Sequence, residues 1–388
     1  MTLDSSTVVR GFLSSVYSGS SHQPATAERG ERHDPPRGKS SRASAAPWRS
    51  QSMRVGIIGC GLIGARRAKV AFDSGDKVVV VADIVGDRAA ATASSTGCSW
   101  TASWSEVVSR DDLDVIVVST SNDQLAEASI AALESGKHVL CEKPLGRNAQ
   151  EAAAIVAAAA SSGKLLKVGF NHRHHPAIAA GHELVDQRAI GNVFAIRALY
   201  GHGGRVGYER EWRTDPARSG GGELLDQGVH IVDLARWFIG EIAQAQGFIG
   251  TYHWPIEPVE DNAFALLRSS GGGIVSFHTS WTQWKNAFRF EVLGTGGYLR
   301  IDGLGGSYGT ERLTVARRNE DSSPPMEETT SFEGPDQSWQ SEWHEFSTAI
   351  AQNRQPLGNG NDGLAAARIL DAIYASAASG VVVEVPRG

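Results

Sequence analysis

The most restrictive feature of this chain is the run Arg54-Val55-Gly56-Ile57-Ile58-Gly59-Cys60-Gly61-Leu62-Ile63-Gly64. A short apolar strand gives way to glycines spaced G-x-G-x-x-G, and Ala65–Ser74 then reads as a helix. Each glycine meets a separate steric demand. Gly59 permits a tight turn, Gly61 lets backbone approach a pyrophosphate, and Gly64 lets the helix lie close on the strand. The helix start offers free N–H groups and a positive dipole end to an anion. A second strand, Val78–Ala82, ends in Asp83, 19 residues beyond Gly64. A carboxylate there accepts hydrogen bonds from both ribose hydroxyls of NAD and repels the 2′-phosphate of NADP. No arginine immediately follows Asp83, so the expected cofactor is NAD rather than NADP. Similar glycine turns hold S-adenosylmethionine, which stands as the rival at this point.

The alternation continues. Asp114–Ser119, His138–Cys141 and Leu165–Phe170 read as strands, with helices over Gln124–Glu134 and Ala149–Ala160 between them. Repeated β-α units predict a doubly wound parallel sheet with its ligand at the carboxyl ends of the strands. Glu142-Lys143-Pro144 follows one such strand and is expected to face the cofactor crevice. After Pro176 the pattern becomes longer alternating strands. Val275, Phe277, Thr279 and Trp281 share one face, as do Phe288, Phe290 and Val292 of the next strand, which predicts hairpin-connected antiparallel pairing. Gly363–Ser376 reads as an amphipathic helix near the domain junction.

Composition removes several classes. The chain has 388 residues, 41% apolar and 21% charged, with a formal charge of −6. Mild acidity argues against nucleic-acid binding. The longest apolar run, Ala152–Ala160, falls short of the ~20 residues that cross a bilayer, so no membrane partner is expected. Cys60, Cys98 and Cys141 have no C-x-x-C spacing and read as reduced thiols of a cytoplasmic protein. His172, His174 and His175 lack a carboxylate or thiol at ligand spacing, so no metal is expected. Residues 1–52 are rich in Ser, Pro, Arg and Gly without apolar period, which predicts a disordered extension, with Met53 as a possible natural start.

Gly220-Gly221-Gly222-Glu223-Leu224-Leu225-Asp226-Gln227-Gly228-Val229-His230-Ile231-Val232-Asp233 carries the chemistry. On a straight helix at ~100° per residue, Asp226, His230 and Asp233 fall within about 60° of one another. Leu224, Ile231, Ala235 and Phe238 fall opposite, so one face reads as titratable and the other as core. An imidazole with unperturbed pKa near ~6.5 suits taking an alcohol proton as the carbon loses hydride. The Lys143 ammonium can donate to the same oxygen. Asp226 can hold either of them, or anchor a substrate hydroxyl. The plain alternative is an i,i+4 surface pair worth a few tenths of a kcal/mol. Asp233 is expected to cap the helix or pair with Arg236. Trp212-Arg213 precedes this helix and is placed at the substrate. Arg205, Arg210, Arg213 and Arg218 read either as a solvated loop or as forks for a pyrophosphate-bearing substrate. Trp281, Trp284, Trp339 and Trp343 are expected in the sheet core or a subunit contact.

Taken together, Gly59–Gly64, Gly136–Leu145, Val168-Gly169-Phe170-Asn171, Gly220–Gly222 with Asp226 and His230, and Gly294-Thr295-Gly296-Gly297 resemble, in order, the glucose–fructose oxidoreductase/inositol dehydrogenase (Gfo/Idh/MocA) family. The likeness runs from Arg54 to the C-terminus. It implies an α/β architecture: an N-terminal Rossmann domain (53–172) and a C-terminal α+β domain (173–388) on a large open, mainly antiparallel sheet that supports a homodimer or homotetramer. It implies a catalytic group of Lys143, Asp226 and His230, with His230 as acid/base and Lys143 as electrostatic partner, or the reverse. Expected cofactor contacts are Gly59, Gly61, Leu62, Ile63, Gly64, Asp83, Ser119, Thr120, Asn122, Glu142 and Lys143. Expected substrate contacts are Arg173, Trp212, Arg213 and Asp226. Ser121-Asn122-Asp123-Gln124-Leu125 stands where the family often has Pro-Asn-x-x-His, and Asn171-His172-Arg173 where Asn-Arg-Arg is commoner. The implied activity is hydride transfer between NAD and a secondary alcohol of a sugar, nucleotide sugar or cyclitol. A non-catalytic dinucleotide-binding regulator and an NAD-assisted glycosidase are the alternatives, and Lys143 with His230 counts against the regulator.

Overall fold

The computed structural model describes residues 52–387, so the expectation for residues 1–51 lies outside the described residues. The first sheet holds β1 (Arg54–Ile58), β2 (Lys77–Ala82), β3 (Ser99–Thr101), β4 (Val115–Val118), β5 (His138–Cys141) and β6 (Leu166–Val168). All six are parallel, in the order β3-β2-β1-β4-β5-β6. The connecting helices are α1 (Leu62–Asp73), α2 (Gly86–Thr96), α3 (Trp104–Val108), α4 (Asn122–Glu134) and α5 (Ala149–Ser162). Central strands covered on both faces must be apolar throughout, and Val55, Ile57, Val115 and Val117 are fully buried. The strand order reverses between β1 and β4, which opens the crevice where such sheets bind ligands.

The second sheet has nine strands: β7 (Val193–Gly201), β8 (Ile242–Gly250), β9 (Asn262–Ser269), β10 (Ile274–Ser280), β11 (Ala287–Gly294), β12 (Gly297–Asp302), β13 (Glu311–Arg317), β14 (Glu327–Phe332) and β15 (Val383–Glu384). Its order is β14-β13-β12-β11-β7-β10-β9-β8-β15. The expected hairpin between β10 and β11 is absent. β7 lies between them, parallel to β10 and antiparallel to β11. Alternation marks faces and not neighbours. The link between the two strands crosses the end of β7 so closely that a Cβ on Gly201 would sit 2.9 Å from the Gln283 Cβ.

One face of this sheet is covered by α6 (Pro176–Asp186), α8 (Val229–Ile239) and α10 (Gly360–Ser379). The opposite face leaves Phe248, Phe264 and Leu266 exposed around a shallow depression of about 430 Å³. Between α6 and α8 lies a single turn, α7 (Pro216–Ser219). An Asn359–Asp362 capping box starts α10, which lies against α5 of the first sheet and α8 and β8 of the second.

The helix α9 (Ser338–Ala351) follows most of the second sheet in the chain but packs on the first. Trp339, Trp343 and Phe346 pack with Val55, Ile57, Ala68 and Val70, and the Trp343 Nε1–H donates to Asp76 Oδ2 at 2.8 Å. The apolar side of α1 finds its cover in α9. Trp339 and Trp343 therefore complete the first core and not the second sheet. Trp281 is buried with Tyr208, Ile256 and Val259, whereas Trp284 is 67% exposed.

Candidate active site

The crevice begins at the glycine turn. Gly59 has φ 91°, and a Cβ there would meet the Ser119 carbonyl oxygen at 2.5 Å. A Cβ on Gly64 would overlap the Gly59 carbonyl at 1.7 Å, so helix and turn touch backbone to backbone. Above Gly61 there is open space, with nothing within 4 Å of an added Cβ. No side chain caps α1, so its first N–H groups remain available. Asp83 ends the next strand, and its carboxylate accepts from the N–H groups of Cys60 (2.7 Å) and Val85 (2.8 Å). Ser119 Oγ donates to the Gly59 carbonyl at 2.9 Å, Thr120 Oγ1 to that of Ser121 at 3.1 Å, and Asn122 Nδ2 to that of Ser219 at 2.8 Å. Leu62 is exposed at the helix start, and Ile63 packs against the core. An uncapped helix, room over Gly61 and a ribose-length carboxylate fit a dinucleotide.

Glu142 is a correction. Its carboxylate turns inward, accepts from Arg67 Nε at 2.7 Å, and shares that guanidinium with Glu342 at 2.5 Å. Gly169 leaves the space for it, since a Cβ there would lie 2.6 Å from Glu142 Oε2. Lys143, the next residue in the segment that follows β5, lies instead toward Asp226.

Lys143 Nζ meets Asp226 Oδ1 at 2.8 Å and also donates to the Asp226 carbonyl. Arg213 Nε lies 3.3 Å from Asp226 Oδ2. Burial alone would raise the Asp226 pKa, but Lys143 and Arg213 together hold it below the usual carboxylate range. Asp226 does not sit on a straight α-helix. Leu224–Gly228 forms a π turn that precedes α8. The Glu260 carboxylate fixes the start of this turn by accepting from the N–H groups of Gly222 (3.0 Å) and Leu224 (3.1 Å). Nor is α8 two-faced, because Val229–Ala235 are buried all round.

The expected Asp233–Arg236 pair is absent. Asp233 binds Arg173 at 2.5 and 2.8 Å, while Arg236 pairs with Glu241 and Asp362. Arg173 is thereby withdrawn as a substrate contact. Its guanidinium is buried and also bonds Asp362. Trp212 lies beneath the Arg213 guanidinium, 4.8 Å from ring centre to carbon. Three of the four clustered arginines are neutralised locally: Arg205 and Arg213 by Glu211, and Arg210 by Glu209.

His230 is 4% exposed, and burial, with Lys143 and His175 adding to it, drives its pKa well below the usual histidine value. It is therefore a neutral imidazole. His174 Nε2 lies 3.5 Å from Lys167 Nζ, and His175 Nδ1 lies 2.6 Å from Glu311 Oε1. Among the described residues no group of three His, Cys, Asp or Glu side chains is arranged to hold a metal ion.

Sequence reasoning missed Glu223, Tyr200 and Tyr308. Glu223 is fully buried with neither carboxyl oxygen hydrogen-bonded among the described residues, and burial, with Asp226 beside it, keeps it protonated by raising its pKa well above the carboxylate range. Tyr308 is pushed up to about 12, chiefly by burial. Position 223 directly after three glycines was the available signal.

Residues 53–170 match a family model described as an oxidoreductase family with NAD-binding Rossmann fold, and residues 178–300 match the GFO/IDH/MocA C-terminal domain. The chain is 31% identical over 350 residues to 1,5-anhydro-D-fructose reductase of Ensifer adhaerens, covering 86% of this chain and 99% of that protein. It is 30% identical over 254 residues to dTDP-3,4-didehydro-2,6-dideoxy-alpha-D-glucose 3-reductase of Streptomyces violaceoruber, covering 65% and 73%. The structure of levoglucosan dehydrogenase in complex with NADH and levoglucosan superposes with a TM-score of 0.79 at 26% identity, over 87% of this chain and all of that one.

Proposed function

From the premise that this chain belongs to the Gfo/Idh/MocA oxidoreductase family, we propose that Lys143, Asp226 and His230 handle the proton in an NAD-dependent reaction at a sugar or cyclitol CH–OH group. The observation that carries this reading is the Lys143–Asp226 ion pair, only half-buried, with a neutral imidazole close enough to be biased by Lys143. His230 takes the hydroxyl proton, and the Lys143 ammonium stabilises the charge that develops on the oxygen. Asp226, anchored by Arg213, keeps that ammonium aimed. When bound, NAD supplies the two-electron acceptor. Gly59, Gly61, Leu62, Ile63, Gly64, Asp83, Ser119, Thr120 and Asn122 surround its crevice.

An uncharged pyranose or cyclitol fits better than a nucleotide sugar, because Glu211 and Glu209 already pair with three of the four arginines, Arg205, Arg210 and Arg213, that a pyrophosphate would draw on. Trp212 and Arg213 border the substrate side. A second copy of the chain covers Phe248, Phe264 and Leu266 on the open sheet face. The cytoplasm suits the three free cysteines and the supply of NAD. No helix among the described residues is long and apolar enough to cross a membrane.

The test is a panel of levoglucosan, inositols, 1,5-anhydro-D-fructose and a dTDP-sugar, followed by nicotinamide absorbance with each coenzyme. Turnover of the uncharged compounds with NAD is expected. Turnover of the dTDP-sugar alone would reverse the substrate assignment.

A further inference from the structure

His172 stands outside the group assigned above, yet its ring covers one face of His230. The ring centroids are 3.7 Å apart and the planes differ by 18°. Both residues are buried. The orientation of His172 is fixed from behind. Asn171 Nδ2 donates to Ser338 Oγ at 3.0 Å, which turns Asn171 Oδ1 toward His172 Nδ1 at 3.2 Å. An amide oxygen can only accept, so Nδ1 is the protonated nitrogen of His172. Its Nε2 is then a bare lone pair without a partner among the described residues, and Nδ1 of His230 also has none there. Stacked rings hold their lone pairs in separate planes, so these two nitrogens cannot satisfy each other. The titratable groups around the pair are Lys143 after β5, His175 beside His172 with Glu311 behind it, and Tyr200 on β7. Tyr308 lies beyond Tyr200, and Glu223 and Asp226 lie on the π turn.

We propose that His172 is a positioning residue for proton transfer: its ring, locked by Asn171, holds the His230 imidazole in the plane that aims Nε2 into the cleft. The proposal rests on the reading of His230 as the group that takes the alcohol proton. His172 also keeps water from that face of His230, so burial and the nearby Lys143 hold both rings neutral. The same stacking leaves Nε2 as the route by which the proton arrives and leaves.

The experiment uses the NAD-loaded enzyme and three variants, His172→Ala, His172→Phe and His230→Gln. It reads kcat and KM across pH together with the ¹⁵N-histidine NMR titration of His230. Removing the ring in His172→Ala lets the imidazole rotate and hydrate. Its kcat is expected to fall about 10–100-fold with KM little changed, as misplaced catalytic groups do, and the acid limb to move up toward pH 6.5, the ordinary histidine value. The flat apolar ring of His172→Phe is expected to restore most of kcat and the low acid limb. A folded His172→Ala with the wild-type kcat and acid limb overturns the proposal, as does a His172→Phe that rescues neither. Should His172→Ala fail to fold, His172→Phe and the NMR titration still decide. If His230→Gln turns over normally, the underlying reading fails, while the NMR shift of His230 in the His172 variants judges the positioning role separately.

Discussion

Glu142 and Lys143 are neighbours in the chain and opposites in the molecule. The Arg67–Glu142 pair is dry, with side chains 1% and 10% exposed, and Glu342 closes its other side. The Lys143–Asp226 pair has both side chains near 20% exposed and opens on the cleft. Removing one partner of a dry pair strands a charge in a medium that cannot solvate it. A half-wet pair is weaker and can trade a carboxylate oxygen for a substrate oxygen. One tripeptide thus joins a rivet between α1 and α9 to a cation that faces Asp226, and the two roles are separated by the partners each side chain meets just beyond β5.

The sharpest way to break this contrast is Lys143→Met. It is expected to lower kcat by about 10²–10⁴-fold, the range for losing an acid–base or charge-stabilising group, while the melting temperature stays at the wild-type value. Arg67→Met should do the converse. Stability falls by about 3–5 kcal/mol, read from the urea midpoint, and the enzyme that remains folded at low temperature keeps its kcat. If either change moved both quantities together, the division of labour would be wrong. Asp83→Ser asks whether one acid can do both jobs, because this carboxylate holds the Cys60 N–H as well as facing the crevice. A loss of one charge-assisted bond predicts about a 10-fold rise in KM for NAD, with NADP relatively improved. An unchanged coenzyme preference would detach Asp83 from the ribose.

The smallest expected effect is on pH. Burial pushes the pKa values of His172, His174 and His230 well below 6.5, so these rings are neutral when folded. Below pH 6.5 the unfolded chain gains protons at all three, which outweighs the single proton that Glu223 holds only when folded, so stability declines as pH falls through that value. A decrease of a few degrees in melting temperature between pH 7 and about 5 is expected. Asp226 stays ionised throughout this window, so its ion pair persists. A flat melting temperature would show that the three imidazoles are not held neutral.

The glycine turn and Asp83 were legible because their geometry is local: three glycines, a strand and a helix fall within a short run. Residues whose role depends on distant partners were not. Glu142 and Lys143 look alike as a motif, and only the position of Arg67 shows which faces inward. The π turn at Asp226 is held by Glu260, 36 residues beyond the Leu224 N–H it accepts from. Arg173 read as a substrate contact, and Asp233 as a cap or a partner of Arg236, until the fold joins the two. Likewise, alternation marked the faces of β10 and β11 but could not reveal β7 between them.

The return of α9 has a consequence for biosynthesis. As the chain leaves the ribosome, β1–β6 and their helices emerge first, but the indole rings that close their interior arrive more than 150 residues later. Until Trp339, Trp343 and Phe346 emerge, α1 carries a bare greasy flank, and Arg67 lacks Glu342. Excising residues 53–172 as a minimal coenzyme carrier would leave that flank permanently open, so the nucleotide-binding half matures only when the far end of the chain folds back to seal it.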